Sequence, residues 1–439
     1  MDKKNFIWIA ACFVMILVIH IFHLFIYNIG VIGKESFHSV NNALEGAGQG
    51  WYSWLLMHSG SFMQVETASF IIMLISGLAS FSLFLLLLAT FEQNRKIRHM
   101  ALFFLLASPL FIYNVAVSQP FVIHSVLSLA TIYLLMLDNV LRYLSIPVIA
   151  VTAFLEPGVF LFLILPLLFY ILVKKKNSLL IGVVSFIGLV VSSLRIENIQ
   201  IKDTFFSFSY FLEENIAMFG ALKGFTFISC ILAVVAFIYT WKKKKEYLPV
   251  YAMVLLAFIG SVYIDSSYKI ILNFLFAYAS AYGFWKLMHI RWELLLIKWS
   301  IFFIVIIGIV FSGVFYVNSL YSESPDEDMI NALVFIRGNS LEHETVFSDT
   351  EKKEWIFYFT DRDFCCQNGA KDIFKTRDNE MAVNFMKNNT VSFILVDEKT
   401  RKLMEREGGS MGLEFVMENS NSFKKMQSFA EVGVWVFKE

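Results

Sequence analysis

A cation, a carboxylate and an imidazole stand close together in Lys34-Glu35-Ser36-Phe37-His38, shortly after a long apolar run at the start of the chain. A carboxylate partly buried beside apolar surface suits a general base, and an imidazole three residues on can help grip the same substrate. The competing reading of Glu35 and His38 is a pair of solvated loop residues. Glu156 is more constrained, because Glu156-Pro157-Gly158 forms a short turn between two apolar runs and leaves the side chain an interface or a cavity. Ionisable groups at membrane depth are costly and tend to be functional or paired, which makes Glu156 a substrate-pocket candidate. A helix-start carboxylate beside Pro157 would equally complement a helix dipole. Arg195, Lys202 and Lys269 are isolated cations near apolar runs, of the kind that grips a phosphate or pyrophosphate. His124, inside an apolar run, reads as a packed core residue.

The elements that must position these groups follow from composition. Of 439 residues, 57% are hydrophobic and 16% charged, with 47 Phe, against a soluble average of about half apolar and a quarter charged. A spanning helix needs about 20 mainly apolar residues, and eleven stretches qualify, near 6–28, 67–91, 100–117, 120–137, 141–156, 157–173, 178–194, 224–241, 248–264, 270–288 and 297–318. The first is longer than a signal-peptide core and lacks a small-residue cleavage site. Lys3-Lys4, Arg95-Lys96-Arg98, Arg142, Lys174-Lys175-Lys176, 242–245, and Lys286 with Arg291 and Lys298 then all fall on one side, which the positive-inside rule makes cytoplasmic. The N-terminus shares that side. Loops 29–66 and 195–223, the turns at Ser118-Gln119-Pro120 and Glu156-Pro157-Gly158, the turn 265–269 and everything after about 318 fall outside. Arg195, Lys202 and Lys269 are therefore outward cations in a chain whose cations otherwise sit inside.

The two longer outer loops carry their own pattern. Phe37, Val40, Ala43 and Leu44 recur at helical spacing and are followed by Trp51, Tyr52 and Trp54, as expected of short amphipathic helices lying at the membrane interface. Phe205, Phe206, Phe208, Tyr210 and Phe211 predict the same in the second loop. After Leu320 the composition turns polar. Helices are expected over 326–338, 351–360, 379–389 and 399–407, strands over 345–348 and 391–396, and a closing strand or hairpin over 423–437. That alternation predicts a small α/β domain with a partly parallel sheet. The domains are thus 1–318, transmembrane, and 319–439, extracytoplasmic α/β. Asn388-Asn389-Thr390 in it is a glycosylation sequon.

Several functions lack support. Formal net charge is zero, so no bulk electrostatic case for nucleic acid exists. The sequence has no H-E-x-x-H, nucleophile elbow, metal-ligand cluster, G-x-G-x-x-G or phosphate loop. Cys12 and Cys230 lie in apolar runs, and Cys365-Cys366 lacks zinc-knuckle spacing, so all four cysteines read as structural. No internal repeat of the kind that supports alternating access is visible.

Four stretches make the chain similar to the C-type glycosyltransferase superfamily (GT-C), polytopic membrane enzymes that transfer a sugar from a polyprenyl-phosphate or polyprenyl-pyrophosphate carrier. Glu35-Ser36-Phe37-His38 with Asn41-Asn42 and Trp51-Tyr52 resembles the loop after the first span, where those enzymes keep an essential acid. Leu105-Leu106-Ala107-Ser108-Pro109 to Tyr113, then Ser118-Gln119-Pro120-Phe121 and 127–136, resembles their third and fourth spans. Leu155-Glu156-Pro157-Gly158 is similar to a later turn, and Ala332 to Arg337 with Val346-Phe347-Ser348-Asp349 and the 423–437 segment resembles the outer C-terminal domain of some members. The chain departs by carrying Gln119 where many members have an acid and Glu35 where Asp is commoner. The resemblance implies a hexosyl- or mannosyltransferase-like enzyme with Glu35 as base, His38, Glu156, Arg195, Lys202 and Lys269 at the substrates, and no certain cofactor, with a divalent metal allowed. Its partners would be a polyprenyl-phosphate-linked sugar, a lipid, glycan or protein acceptor, and membrane lipids, at a plasma membrane or, with a lumenal domain, the endoplasmic reticulum. The alternative is a catalytically inactive scaffold or envelope-assembly protein of the same shape.

Overall fold

The computed structural model describes residues 3–27, 31–45, 51–137, 139–155, 182, 183, 186, 190, 215–217, 221, 223–243, 251, 254, 255, 269–341, 343–365, 370–408 and 412–438. It divides into two compact units: Met1–Leu24 with Gly50–Tyr321, and Phe25–Gln49 with Ser322–Glu439. The helices, in chain order, are α1 (Lys3–Tyr27), α2 (Lys34–Leu44), α3 (Trp51–Gly60), α4 (Val65–Phe91), α5 (Arg95–Leu106), α6 (Pro109–Ala116), α7 (Phe121–Met136), α8 (Ser145–Leu155), α9 (Phe227–Thr240), α10 (Lys269–Met288) and α11 (Leu295–Tyr321). Apart from α2 and the last residues of α1, all belong to the first unit.

Among the described residues, three helices are long and apolar enough to cross a membrane, lying in α1, α4 and α11, and the pair α5–α6 makes a fourth if its halves form one span. Expected spans 157–173, 178–194 and 248–264 lie almost wholly outside the described residues. α11 illustrates why such helices belong in lipid. It buries Val305, Ile309, Tyr316 and Leu320 while exposing Ile304, Ile307, Phe311 and Val314, so it is apolar on every side. These helices are those of a membrane-embedded protein.

The stretch expected as a span over 100–117 is broken, with α5 and α6 bent by 58°. Pro109 explains the break: it offers no N–H to continue the helix and holds Ser108 in an extended conformation, ψ 127°. α9 and α10 approach closely at Gly283, where any Cβ would collide with the Leu232 carbonyl oxygen. Ser280 donates to the Ser229 carbonyl across the same contact, at 2.9 Å. The core of this unit is aromatic and aliphatic, built around Phe81, Phe84, Phe104, Phe111, Phe274 and Phe284.

The second unit continues with α12 (Glu327–Asn339), β1 (Thr345–Phe347), α13 (Lys353–Thr360), α14 (Ala370–Lys375), α15 (Asn379–Asn388), β2 (Val391–Val396), α16 (Glu398–Gly408), α17 (Gly412–Asn419), β3 (Phe423–Phe429) and β4 (Val432–Phe437). The sheet order is β1-β2-β4-β3, with β1 parallel to β2 and the other pairs antiparallel. The small mixed sheet expected from the sequence is present. Two short helices, α14 and α17, were not foreseen. β2 shows the period-2 logic of a central strand: Phe393 and Leu395 join Met329, Leu333, Ile336 and Ile356 on one face, while Ile394 and Val396 join Phe374, Met386, Met404 and Leu413 on the other. Asp326 and Asp378 cap α12 and α15 by accepting from Met329 N at 2.8 Å and Glu380 N at 2.9 Å.

Beneath this sheet, Lys352 is buried, and its ammonium donates to Asp397 Oδ1 at 2.8 Å and to the Thr400 hydroxyl. Asp397 also accepts from Thr400 N at 2.7 Å, which caps the start of α16. Burial works against ionisation of Asp397, but the Lys352 charge and these donors outweigh it and hold the carboxyl below its ordinary range.

Candidate functional site

Glu35 stands in the first turn of α2, half-buried, and α2 groups with the C-terminal domain rather than with the helices that flank it in sequence. Gly33 begins the helix with φ 76°, a backbone state that favours glycine, and its N–H donates to Ser324 Oγ at 3.3 Å. The apolar side of α2, which the sequence assigns to a membrane interface, is instead buried on protein. Phe37 is fully buried with its ring 5.1 Å from Tyr358 and 6.0 Å from Phe359 of α13, and Val40 and Ala43 are buried with it. Leu44, expected on that side, is 54% exposed.

The polar side of α2 is tied to the same helix. His38 Nδ1 lies 3.1 Å from Glu354 Oε1, and Asn41 Nδ2 donates to the Glu354 carbonyl oxygen at 2.9 Å and to Oε2 at 3.2 Å. Asn42 Nδ2 lies 3.1 Å from His38 Nε2. The hydrogen bond to Glu354 is the main cause that raises the His38 pKa above its ordinary value; burial opposes it, the Glu354 charge assists, Lys353 opposes and Glu35 assists. Burial disfavours ionised Glu354, yet the hydrogen bonds from His38 and Asn41 and the His38 charge prevail and lower its pKa. Glu35 and His38 are thus neighbours electrostatically as well as in sequence. Glu354 was missed by sequence reasoning, because nothing local distinguishes it from nearby acids such as Asp349 and Glu351.

In the helical unit, a second group of residues lies around the start of α6. Leu110, Phe225 and Leu272 pack together, which joins α6 to the segment before α9 and to the first turn of α10. Lys269 begins α10 and is 1% exposed. Asn273, one turn on, accepts from Ser108 Oγ at 2.7 Å. The Lys223 ammonium lies 5.5 Å from the centre of the Tyr113 ring. Lys223 meets the criterion that singled out Arg195, Lys202 and Lys269, a cation at the outer end of an expected span, and could have been found by it.

The turn from α6 to α7 is polar and buried. Tyr52 and Ser118 hydroxyls lie 2.9 Å apart, Asn114 Nδ2 donates to Ser125 Oγ at 3.3 Å, and His124 packs its ring 5.3 Å from Trp51 and 5.6 Å from Phe121. Gln119 is 2% exposed, and among the described residues neither end of its amide has a hydrogen-bond partner, nor do Asn114 Oδ1 and Ser128 Oγ. Glu156, Arg195 and Lys202 lie outside the described residues. Among the described residues no group of three His, Cys, Asp or Glu side chains converges to hold a divalent metal.

Apolar helices followed by a mixed-sheet domain, with a short helix bearing Glu35 after the first span, give this chain a fold similar to that of solved glycosyltransferases. The apo oligosaccharyltransferase of Archaeoglobus fulgidus matches with a TM-score of 0.63 at 11% identity, over 95% of this chain and 72% of that one. ArnT from Cupriavidus metallidurans, bound to undecaprenyl phosphate, matches at 0.58 and 10% identity over 99% of this chain and 98% of that one. The arabinofuranosyltransferase AftD from Mycobacteria matches at 0.58 and 9% identity, over 100% of this chain and 40% of that one. No protein-family model and no curated protein matches the sequence.

Proposed function

We propose that this chain transfers a sugar from a polyprenyl-phosphate carrier to a lipid, glycan or protein acceptor on the outer face of the membrane. The N-terminus is then cytoplasmic and the C-terminal domain extracytoplasmic. The observation that carries the reading is the likeness to ArnT bound to undecaprenyl phosphate, which runs over 99% of this chain and 98% of that one. A second neighbour, AglB from Archaeoglobus fulgidus, was solved with a dolichol-phosphate and an inhibitory peptide.

In this mechanism Glu35 takes the proton of an acceptor hydroxyl, or polarises an acceptor amide, as the acceptor atom bonds to the anomeric carbon. The bond from that carbon to the carrier phosphate oxygen breaks from the opposite face, so configuration inverts and the phosphate leaves with the electron pair. Lys269, with Arg195 and Lys202, offsets the charge that builds on the leaving phosphate. Lys269 is buried at the N-terminus of its helix, where the burial of a cation and the helix dipole both cost stability that an adjacent phosphate would offset. Glu156 lines the sugar or acceptor pocket, and His38 assists at the acceptor side.

The test is transfer of radiolabelled sugar from a panel of polyprenyl-phosphate sugars by purified protein in detergent. Glu35→Gln is expected to lower turnover by about 10²- to 10⁴-fold. A well-folded Glu35→Gln protein with full activity sinks Glu35 as the base. Absence of both turnover and carrier binding in the wild type would favour the inactive scaffold.

A further inference from the structure

We propose that Glu354 is a positioning residue that fixes α2 on the C-terminal domain and thereby sets where Glu35 is presented. The inference rests on the reading of Glu35 as the base. An isolated helix shorter than about 12–15 residues is marginal, and α2 has 11 residues with a glycine N-cap that offers no side-chain hydrogen bond. Its place must therefore come from tertiary contacts. Phe37, buried against Tyr358 and Phe359, supplies attraction without direction, since a ring can slide or rotate on an apolar surface at little cost.

Direction comes from Glu354. Both oxygens of one carboxylate are engaged from α2: Oε1 by His38 at 3.1 Å and Oε2 by Asn41 at 3.2 Å, while the Glu354 carbonyl oxygen receives the same Asn41 amide at 2.9 Å. His38 and Asn41 are three residues apart, and Glu35 is three residues before His38, so all three share one side of the helix. Three directional bonds at one point fix both rotation and translation of α2. Glu35 lies one turn from that point.

The charged groups around His38 are Glu35 on its own helix and Lys353 and Glu354 on α13. Removing the Glu354 charge lowers the His38 pKa.

The experiment uses the full chain in detergent and two substitutions, Glu354→Ala and Glu354→Gln. Hydrogen exchange of residues 34–44 reads the placement of α2 without reference to activity, and sugar transfer reads its consequence. Glu354→Ala is expected to raise exchange in 34–44 and to lower kcat roughly 10- to 100-fold with the donor KM little changed, the order of loss produced by a misplacement of about 1 Å. Glu354→Gln, which can still accept from Asn41, is expected to recover much of kcat while moving the His38-dependent limb of the pH profile to lower pH. Unchanged exchange in Glu354→Ala, or raised exchange with unchanged kcat, overturns the proposal. A wild-type protein without any transfer activity overturns the catalytic reading of Glu35 separately, and the exchange data still decide whether Glu354 places α2.

Discussion

The contact between α2 and α13 and the turn between α6 and α7 both enclose polar side chains, and they treat them differently. At the first, Glu354 pairs with His38 and accepts from the Asn41 amide N–H at 2.9 to 3.2 Å, which leaves only Asn41 Oδ1 without a partner among the described residues. At the second, Gln119 is 2% exposed and, among the described residues, has no partner at either end of its amide, although Asn114, Ser118 and Ser125 close by are bonded on at least one atom. Matched polar groups give a surface contact one geometry. Unmatched ones in an apolar helical unit cost stability, because a buried amide has given up water without replacement. The contrast separates a device for holding position from a place that bears a cost without a structural return.

The comparison can be broken at three points, from the largest effect to the smallest. Lys352→Met leaves Asp397 largely buried without its cation and should destabilise the C-terminal domain by about 3 kcal/mol, read as a lowered thermal midpoint of the full chain. An unchanged midpoint would mean that the matched groups of this domain do not carry its stability. The wild-type domain, with Lys352 in place, should be acid-sensitive. Asp397 has a folded pKa below 3.8, so its contribution is complete above that unfolded value and is lost as pH falls through the folded one.

A smaller effect concerns the α2 contact. His38 has a raised pKa, so the support it gives is complete below about 6.5 and fades as pH rises through the folded value; Glu354 has a lowered pKa, so its support is complete above about 4.5 and fades below it. Exchange protection of 34–44 should therefore be greatest between those values and decline towards pH 8, and a flat profile would contradict the pairing. Gln119→Leu should have the smallest effect on the folded protein, between neutral and a gain of about 1 kcal/mol, because it removes an unsatisfied amide at similar volume. A large loss of thermal stability would show that Gln119 is bonded in the membrane. A loss of sugar transfer at unchanged stability would place its amide at a substrate.

Much of this architecture is legible in the residues alone. Runs such as 67–91 and 297–318 are too long and too apolar to belong anywhere but a membrane, and α4 and α11 follow them closely. Val391–Val396 emerges as a strand at the expected bounds, since a short stretch with five apolar residues of six, bounded by polar turns, has few other uses. The short helices α14 and α17 escaped because six and eight residues hold too little periodicity to read. The bend between α5 and α6 was announced by Ser108-Pro109, but an apolar run on both sides masked it.

The sequence by itself determined that apolar helices would carry a polar α/β domain, and that an acid would follow the first of them, because hydrophobic length and pattern are local properties of a chain. Only the tertiary structure decided that the helix bearing Glu35 is held by the C-terminal domain, that Glu354 holds it, and that Lys269 is buried at the head of its helix. Those facts join residues as far as 316 positions apart, as His38 and Glu354 are. Such pairings depend on shape and hydrogen-bond geometry at contact distance, which no spacing in one sequence encodes.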